Sequence, residues 1–290
     1  MQPSAPSIFG KAAVYFELLP EVIQVATTHN YHFLRDEIFQ DWLRSDKFTV
    51  SDYNRILALA LVDKAHLAAV ASVLRTRRWA DAVIVAHEQS NVLAWASAVR
   101  GLLESAGDIL DGLGAIPTSL AQNHGIIRLC LSGKSKTPSG FSELEHKLDH
   151  FVLAKWIRVK KGEESVLKSK DNAEYVRQLE PIMPGAVNFY HCLCSVTHPS
   201  VNSIDWLFAL DPSVGGGLKL ILERDAKAIE KIVASHPDAL SDMLMVSCNV
   251  ALLILRVLHK FDVHPQLAVL KKVNWSGVRQ WAKIEQALRS

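Results

Sequence analysis

Cysteine is scarce in this chain. Cys130, Cys192, Cys194 and Cys248 are the full set, with no paired-spacing framework. That excludes the disulfide-stapled secreted class and predicts reduced thiols in a cytoplasmic protein. Uninterrupted apolar runs are missing too. The stretch ILALALVDKAHLAAVASVL is broken by Asp63, Lys64 and His66, and the run from Met243 stops before Arg256. A membrane span needs about 20 apolar residues, so both predict buried helices. The opening MQPSAPSIFGKAAVYF lacks the basic segment and long apolar run of a secretory signal. Neither sign of charge dominates, with 32 Lys+Arg against 30 Asp+Glu and a net charge of +2. A dedicated nucleic-acid domain shows a stronger, clustered basic excess.

Several chemical signatures are absent as well. SVGGGLKLIL has no Gly-Lys-Ser/Thr ending, so it is not a phosphate-cradling loop. No Gly-x-Ser-x-Gly elbow occurs. In SELEHKLDH, His146 and His150 have the spacing of two ligands on one helix face. However, Lys147 stands where the metalloprotease pattern needs Glu. Cys192 and Cys194 are two apart, and on a helix such side chains diverge by about 200°. They read as small apolar fillers rather than zinc ligands.

What is present is helical periodicity. Hydrophobic residues make up 49% of the chain and charged residues 21%, a globular balance. Alternating strand patterns are rare. A helix is expected over about 11–28, bent or split at Pro20, followed by a short amphipathic one in HFLRDEIFQDWLRSD. Ser51 is the expected N-cap of a helix running to about Arg75. A second helical stretch from Arg75 is expected to continue through Asn91 to Gly114. Residues 132–142 are a loop, and Ser142 caps the helix that follows. PGAVNFYHCLCSVTH is a helix stopped at the His198–Pro199 step. DPSVGGGLKLILERD holds a turn and one short strand. Helices are expected at about 225–235 and 238–261.

The expected fold is therefore all-α, a multi-helix bundle with at most one short strand or hairpin. It is expected as a single domain over residues 1–290. Its core spans 51–210, with N-terminal helices 11–45 and C-terminal helices 225–288 packed on it.

Two constellations stand out. In SAVRGLLESAGDILDGL, Arg100, Glu104, Asp108 and Asp111 fall within an arc of about 80° on a helix, opposite an apolar face. If that helix is central, its charged stripe needs partners. In FYHCLCSVTHPS, Tyr190, Cys194, Thr197 and His198 share one helix face. His198 sits at the helix end, where the dipole favours an imidazolium and the ring is accessible. The basic residues Lys155, Arg158, Lys160, Lys161, Lys168 and Lys170 form one positive run, and Arg75, Arg77 and Arg78 another. If they converge they would contact phosphate.

VRGLLESAGDIL at 99–110 resembles the Arg-x-x-x-Glu helix of a loosely defined set of bacterial helical proteins near the HEPN superfamily. YHCLCSVTHPS at 190–200 resembles their Tyr-x-x-x-Ser/Cys…His-Pro segment. The resemblance covers about residues 80–210. It implies an HEPN-like core, in a superfamily whose members include RNA-cleaving toxins and phage-defence proteins. The nuclease-active pattern of Arg, four to six residues, then His does not occur here. Eight residues separate Arg78 from His87, and two separate Arg256 from His259. A catalytic set would thus come from Arg100, Glu104, Tyr190 and His198, joined by folding.

Three functions are consistent with these features. One is an interaction or defence-associated protein acting as a homodimer, with exposed apolar faces and Trp275 and Trp281. The second is a metal-independent ribonuclease-like effector in which Tyr190 and His198 move protons, Arg100 steadies phosphate charge and Glu104 orients. The third is a ligand- or metal-binding bundle using His146, His150 or the Cys192/Cys194 pair. The expected partners are a second copy of the chain, and RNA or a protein. No cofactor, bound metal or membrane is expected.

Overall fold

The computed structural model describes residues 5–289 apart from 27, 32, 34–35, 46–47, 155–166, 200, 212, 214 and 222–223. Of the basic run expected from the sequence, Lys155, Arg158, Lys160 and Lys161 lie outside the described residues. The fold is all-α, as the periodicity predicts. Its elements are α1 (Ala5–Phe9), α2 (Tyr15–Ala26), α3 (Asp36–Leu43), α4 (Val50–Glu88) and α5 (Val92–Leu113). The short α6 (Ile116–Gln122) and α7 (His124–Leu131) come next, then α8 (Ser142–Leu153), α9 (Asn172–Arg177) and α10 (Ala186–Thr197). The hairpin of β1 (Phe208–Asp211) and β2 (Gly217–Leu220) precedes α11 (Asp225–Ser235), α12 (Ala239–Leu258) and α13 (Trp281–Arg289).

Local hydrogen bonds set several boundaries differently from the sequence expectation. Thr49, not Ser51, opens α4. The Thr49 hydroxyl and backbone N–H donate to Asp52 Oδ2 at 2.6 and 3.0 Å, and the Asp52 N–H returns to Thr49 Oγ1 at 3.2 Å. This reciprocal cap satisfies end groups that would otherwise be orphaned. Ser51 instead donates to the Gly133 carbonyl at 2.6 Å. The expected break near Arg75 does not occur, because no Gly or Pro interrupts the 39 residues of α4. The break falls at Gln89–Asn91 instead. There Ser90 takes a positive φ of 52°, and Asn91 Oδ1 accepts from the Ala94 N–H at 2.9 Å to restart the chain as α5. Ser142 is the first residue of α8 and not its cap.

The chain divides into two compact units. The first holds residues 1–19, 74–111 and 171–248, and the second holds 20–73, 112–170 and 249–290. In the first, Phe9, Ile84, Trp95, Leu102, Leu103, Ile109 and Phe189 are fully buried. In the second, Leu61, Leu113, Ile116 and Leu120 play that part. Asn54 organises the second unit's polar loop. Its amide donates to Ser135 Oγ at 3.1 Å and to the Thr137 carbonyl at 2.8 Å, while its Oδ1 accepts from the Ser139 N–H at 3.0 Å. Among the described residues, two helices are apolar enough to cross a membrane, α4 and α12. Their most apolar windows are 61% and 67% buried inside the protein, which fits core helices.

Two glycines let neighbours press onto α5. A Cβ on Gly101 would lie 2.6 Å from the Trp79 ring, and one on Gly107 would run into the Tyr175 carbonyl. Tyr175 belongs to α9, whose start is fixed by a capping box between Asp171 and Glu174. Gly107→Ala is therefore expected to lower unfolding stability by about 1–3 kcal/mol in urea titrations, as overpacking does. Gly125→Ala on α7, where a Cβ meets nothing within 4 Å, is expected to be neutral or slightly stabilising.

Candidate functional site on the Arg100 helix

The polar stripe of α5 does not simply face water. Arg100 Nε donates to Glu104 Oε1 at 2.9 Å, one helical turn on. The other end of the guanidinium crosses to α10, where Nη1 donates to Thr197 Oγ1 at 3.2 Å and lies 3.3 Å from His198 Nε2. Both residues of the Arg100–Glu104 pair keep less than a third of their side chains exposed, 25% and 20%. The pair is thus stronger than a fully solvated one. Further along the stripe, Arg75 of α4 reaches Asp108 Oδ2 at 2.6 Å. Arg77 is held locally by Asp81 at 2.9 Å and lies 4.8 Å above the Phe16 ring.

The chain places α10 against Arg100 through specific end chemistry. Glu180 supplies its N-terminal cap, accepting from the backbone N–H groups of Gly185 and Val187 at 2.9 and 3.0 Å. Gly185 takes φ of 88°, a left-handed turn suited to glycine. At the other end His198 turns extended, with φ −90° and ψ 149°, as the residue before a proline prefers. That turn releases His198 from the helix while its N–H still reaches the Cys194 carbonyl at 2.9 Å.

Four sequence-predicted residues therefore meet at one place. Arg100, Glu104 and His198 form a hydrogen-bonded chain, and the Arg100 guanidinium lies 6.0 Å from the Tyr190 ring centre. Thr197 and Cys194 complete the surroundings. The signal for them was the 190–194–197–198 spacing. Burial pushes the Tyr190 phenol well above its ordinary range, helped by the negative charge of Glu104 and a hydrogen bond with Cys194. It therefore stays protonated at neutral pH. Burial works against the Arg100 charge, but the hydrogen bond and charge of Glu104 outweigh it and hold the guanidinium charged. An arginine N–H can only donate, so in a hydrogen bond between the two, His198 Nε2 is the acceptor.

The opposite face of α10 lines a cavity of about 590 Å³ with Cys192, Ser195, Trp206, Arg224, Lys227 and Lys231. Burial raises the Cys192 thiol above its ordinary range. None of the four predicted site residues lines this cavity. His146 and His150 lie on α8. Among the described residues, neither that pair nor Cys192 with Cys194 belongs to a group of three metal-ligating side chains. Trp275, read above with Trp281 as support for an interaction surface, is buried, with its Nε1 donating to the Leu270 carbonyl at 2.9 Å.

No protein-family model, curated protein or solved structure matches the chain.

The Glu104 charge holds the Tyr190 phenol up, so Glu104→Gln is expected to lower the Tyr190 ionisation midpoint toward the ordinary tyrosine range. NMR titration of tyrosine ring-labelled protein, with Tyr190→Phe to assign the signal, checks this. Because the folded value is the raised one, stability is expected to fall as pH rises above about 10, where the unfolded chain loses the proton first. This alkaline loss is expected to shrink in Glu104→Gln.

Proposed function

We propose that the chain is an RNA-directed effector whose Arg100, Glu104, Tyr190 and His198 side chains cleave a phosphodiester without a metal ion. The observation carrying this reading is the guanidinium of Arg100, which contacts Glu104, Thr197 and His198 at once. A fixed cation beside an imidazole lone pair and a protonated phenol is what such a transfer requires. The phosphate binds Arg100 and displaces its contact with His198. Nε2 of His198 then removes the proton of the ribose 2′-hydroxyl, and the 2′-oxygen attacks phosphorus. The bond to the 5′-oxygen breaks, and Tyr190 gives that oxygen its proton. The products are a 2′,3′-cyclic phosphate and a 5′-hydroxyl. Glu104 fixes the guanidinium plane throughout, and Arg100 balances the added negative charge. The resemblance of the two motifs to the HEPN neighbourhood supports the same class of substrate.

The test uses purified protein with single-stranded RNA in EDTA, scoring cyclic-phosphate ends. Cleavage by the wild type is expected to fall about 100-fold or more in His198→Ala and Arg100→Ala. An inactive wild type, or a His198→Ala rate equal to it, contradicts the reading.

A second reading, an interaction protein acting as a homodimer, is favoured by the hairpin. Leu210 and Leu218 are direct cross-strand partners. They are 75% and 68% exposed, and Leu220 on the same face is 60% exposed. An apolar two-stranded ribbon that pairs with no third strand among the described residues invites pairing, and antiparallel pairing of the same strand from a second copy is self-complementary. Light scattering is expected to give twice the chain mass for wild type and the monomer mass for Leu210→Lys/Leu218→Lys. A wild-type monomer removes this reading.

A further inference from the structure

A separate cluster of titratable groups lies inside the unit formed by residues 20–73, 112–170 and 249–290. His29 follows α2, Asp63 and His66 share one face of α4, and His264 lies in the segment after α12. One ring nitrogen from each histidine lies within 4.8 Å of the others. The rings pack closely. His66 and His264 are parallel, 4.2 Å apart, and His29 lies 5.2 and 5.0 Å from them. Asp63, His66 and His264 are buried.

The hydrogen bonding in this cluster is incomplete in an informative way. His264 Nε2 lies 2.8 Å from Asp63 Oδ1, and its Nδ1 is buried with no partner. His29 Nε2 is also buried without a hydrogen bond, 3.7 Å from the same carboxylate oxygen. His66 gives its Nδ1 to the Tyr31 hydroxyl at 2.7 Å. A buried nitrogen left unpaired costs about 1–3 kcal/mol, and this cluster leaves two. A neutral imidazole with a free lone pair is the form that ligates metals.

We propose that His29, His66 and His264 form a binding site for a divalent transition-metal ion of the imidazole-preferring class, zinc foremost. Metal-bound histidines give their second N–H to an acceptor that fixes the ring, and two such acceptors are already in place. Asp63 takes the Nε2–H of His264, which turns the unpartnered Nδ1 to the metal. The Tyr31 oxygen takes the Nδ1–H of His66, which leaves Nε2 for the metal. Tyr31 suits that role because its hydroxyl oxygen already lies 2.7 Å from His66 Nδ1. Metal–nitrogen bonds of about 2.0–2.1 Å in a tetrahedron put ligand atoms about 3.3 Å apart, so the rings turn inward on loading. Three protein ligands leave the fourth position to water.

The test is titration of EDTA-stripped full-length protein with Zn²⁺ and Co²⁺. It is read by elemental analysis, cobalt visible absorption and thermal midpoint. About one equivalent per chain is expected to bind, with tetrahedral cobalt bands and a raised midpoint. His29→Gln, on a partly exposed loop position, is expected to abolish this. Tyr31→Phe, which keeps the ring, is expected to weaken affinity about tenfold. His146→Gln/His150→Gln is expected to bind as wild type. The proposal is overturned if stripped wild type takes up neither metal. It is overturned equally if Tyr31→Phe and folded His29→Gln bind as tightly as wild type, or if the α8 double variant is the one that loses binding.

Discussion

The Arg100 guanidinium is the group on which the first unit's site depends. It is a permanent cation that keeps only 25% of its side chain exposed, so it must be neutralised and hydrogen-bonded on several sides. Glu104 meets one side from the same helix, and the end of α10 meets the other through Thr197 and His198. Each partner has its own reason to be there. Glu104 follows from the four-residue repeat of α5, whereas Thr197 and His198 arrive because the Glu180 cap fixes where α10 starts and Pro199 fixes where it ends. Gly107 contributes by allowing α9, which precedes α10, to lie against α5.

How much of this was legible in the sequence depended on range. The helices 225–235 and 238–261 were close to α11 and α12 because apolar spacing and turn residues mark them locally. The halt at His198–Pro199 was legible for the same reason, since a proline restricts the residue before it. The continuity of α4 was not. RTRRWADAV looks like a new start because it is charged, but Arg75 and Arg77 are charged for the sake of Asp108, Asp81 and the Phe16 ring. The break at Ser90 was missed because its marker, an Asn91 cap behind a left-handed serine, is weaker than a glycine or proline.

The site residues divide along the same line. Arg100 with Glu104, and Tyr190 with His198, were visible as helical faces, but their meeting is a tertiary fact about positions 98 apart in the Arg100–His198 contact. The histidine cluster was hidden more deeply. Asp63 and His66 registered only as interruptions of an apolar run, and His29 and His264 come from segments without regular periodicity. A polar residue in an otherwise buried helix needs a partner, and that rule is what links Asp63 and His66 to distant imidazoles.

The site stands or falls on Arg100 holding His198 by donating to its Nε2. The imidazole nitrogen chemical shifts of His198 in ¹⁵N-labelled protein, recorded where the ring is neutral, test it most directly. The expected result is a proton on Nδ1 and an acceptor-type Nε2 in the wild type, with that preference lost in Arg100→Ala. A wild-type ring protonated on Nε2, indifferent to the arginine, would contradict it.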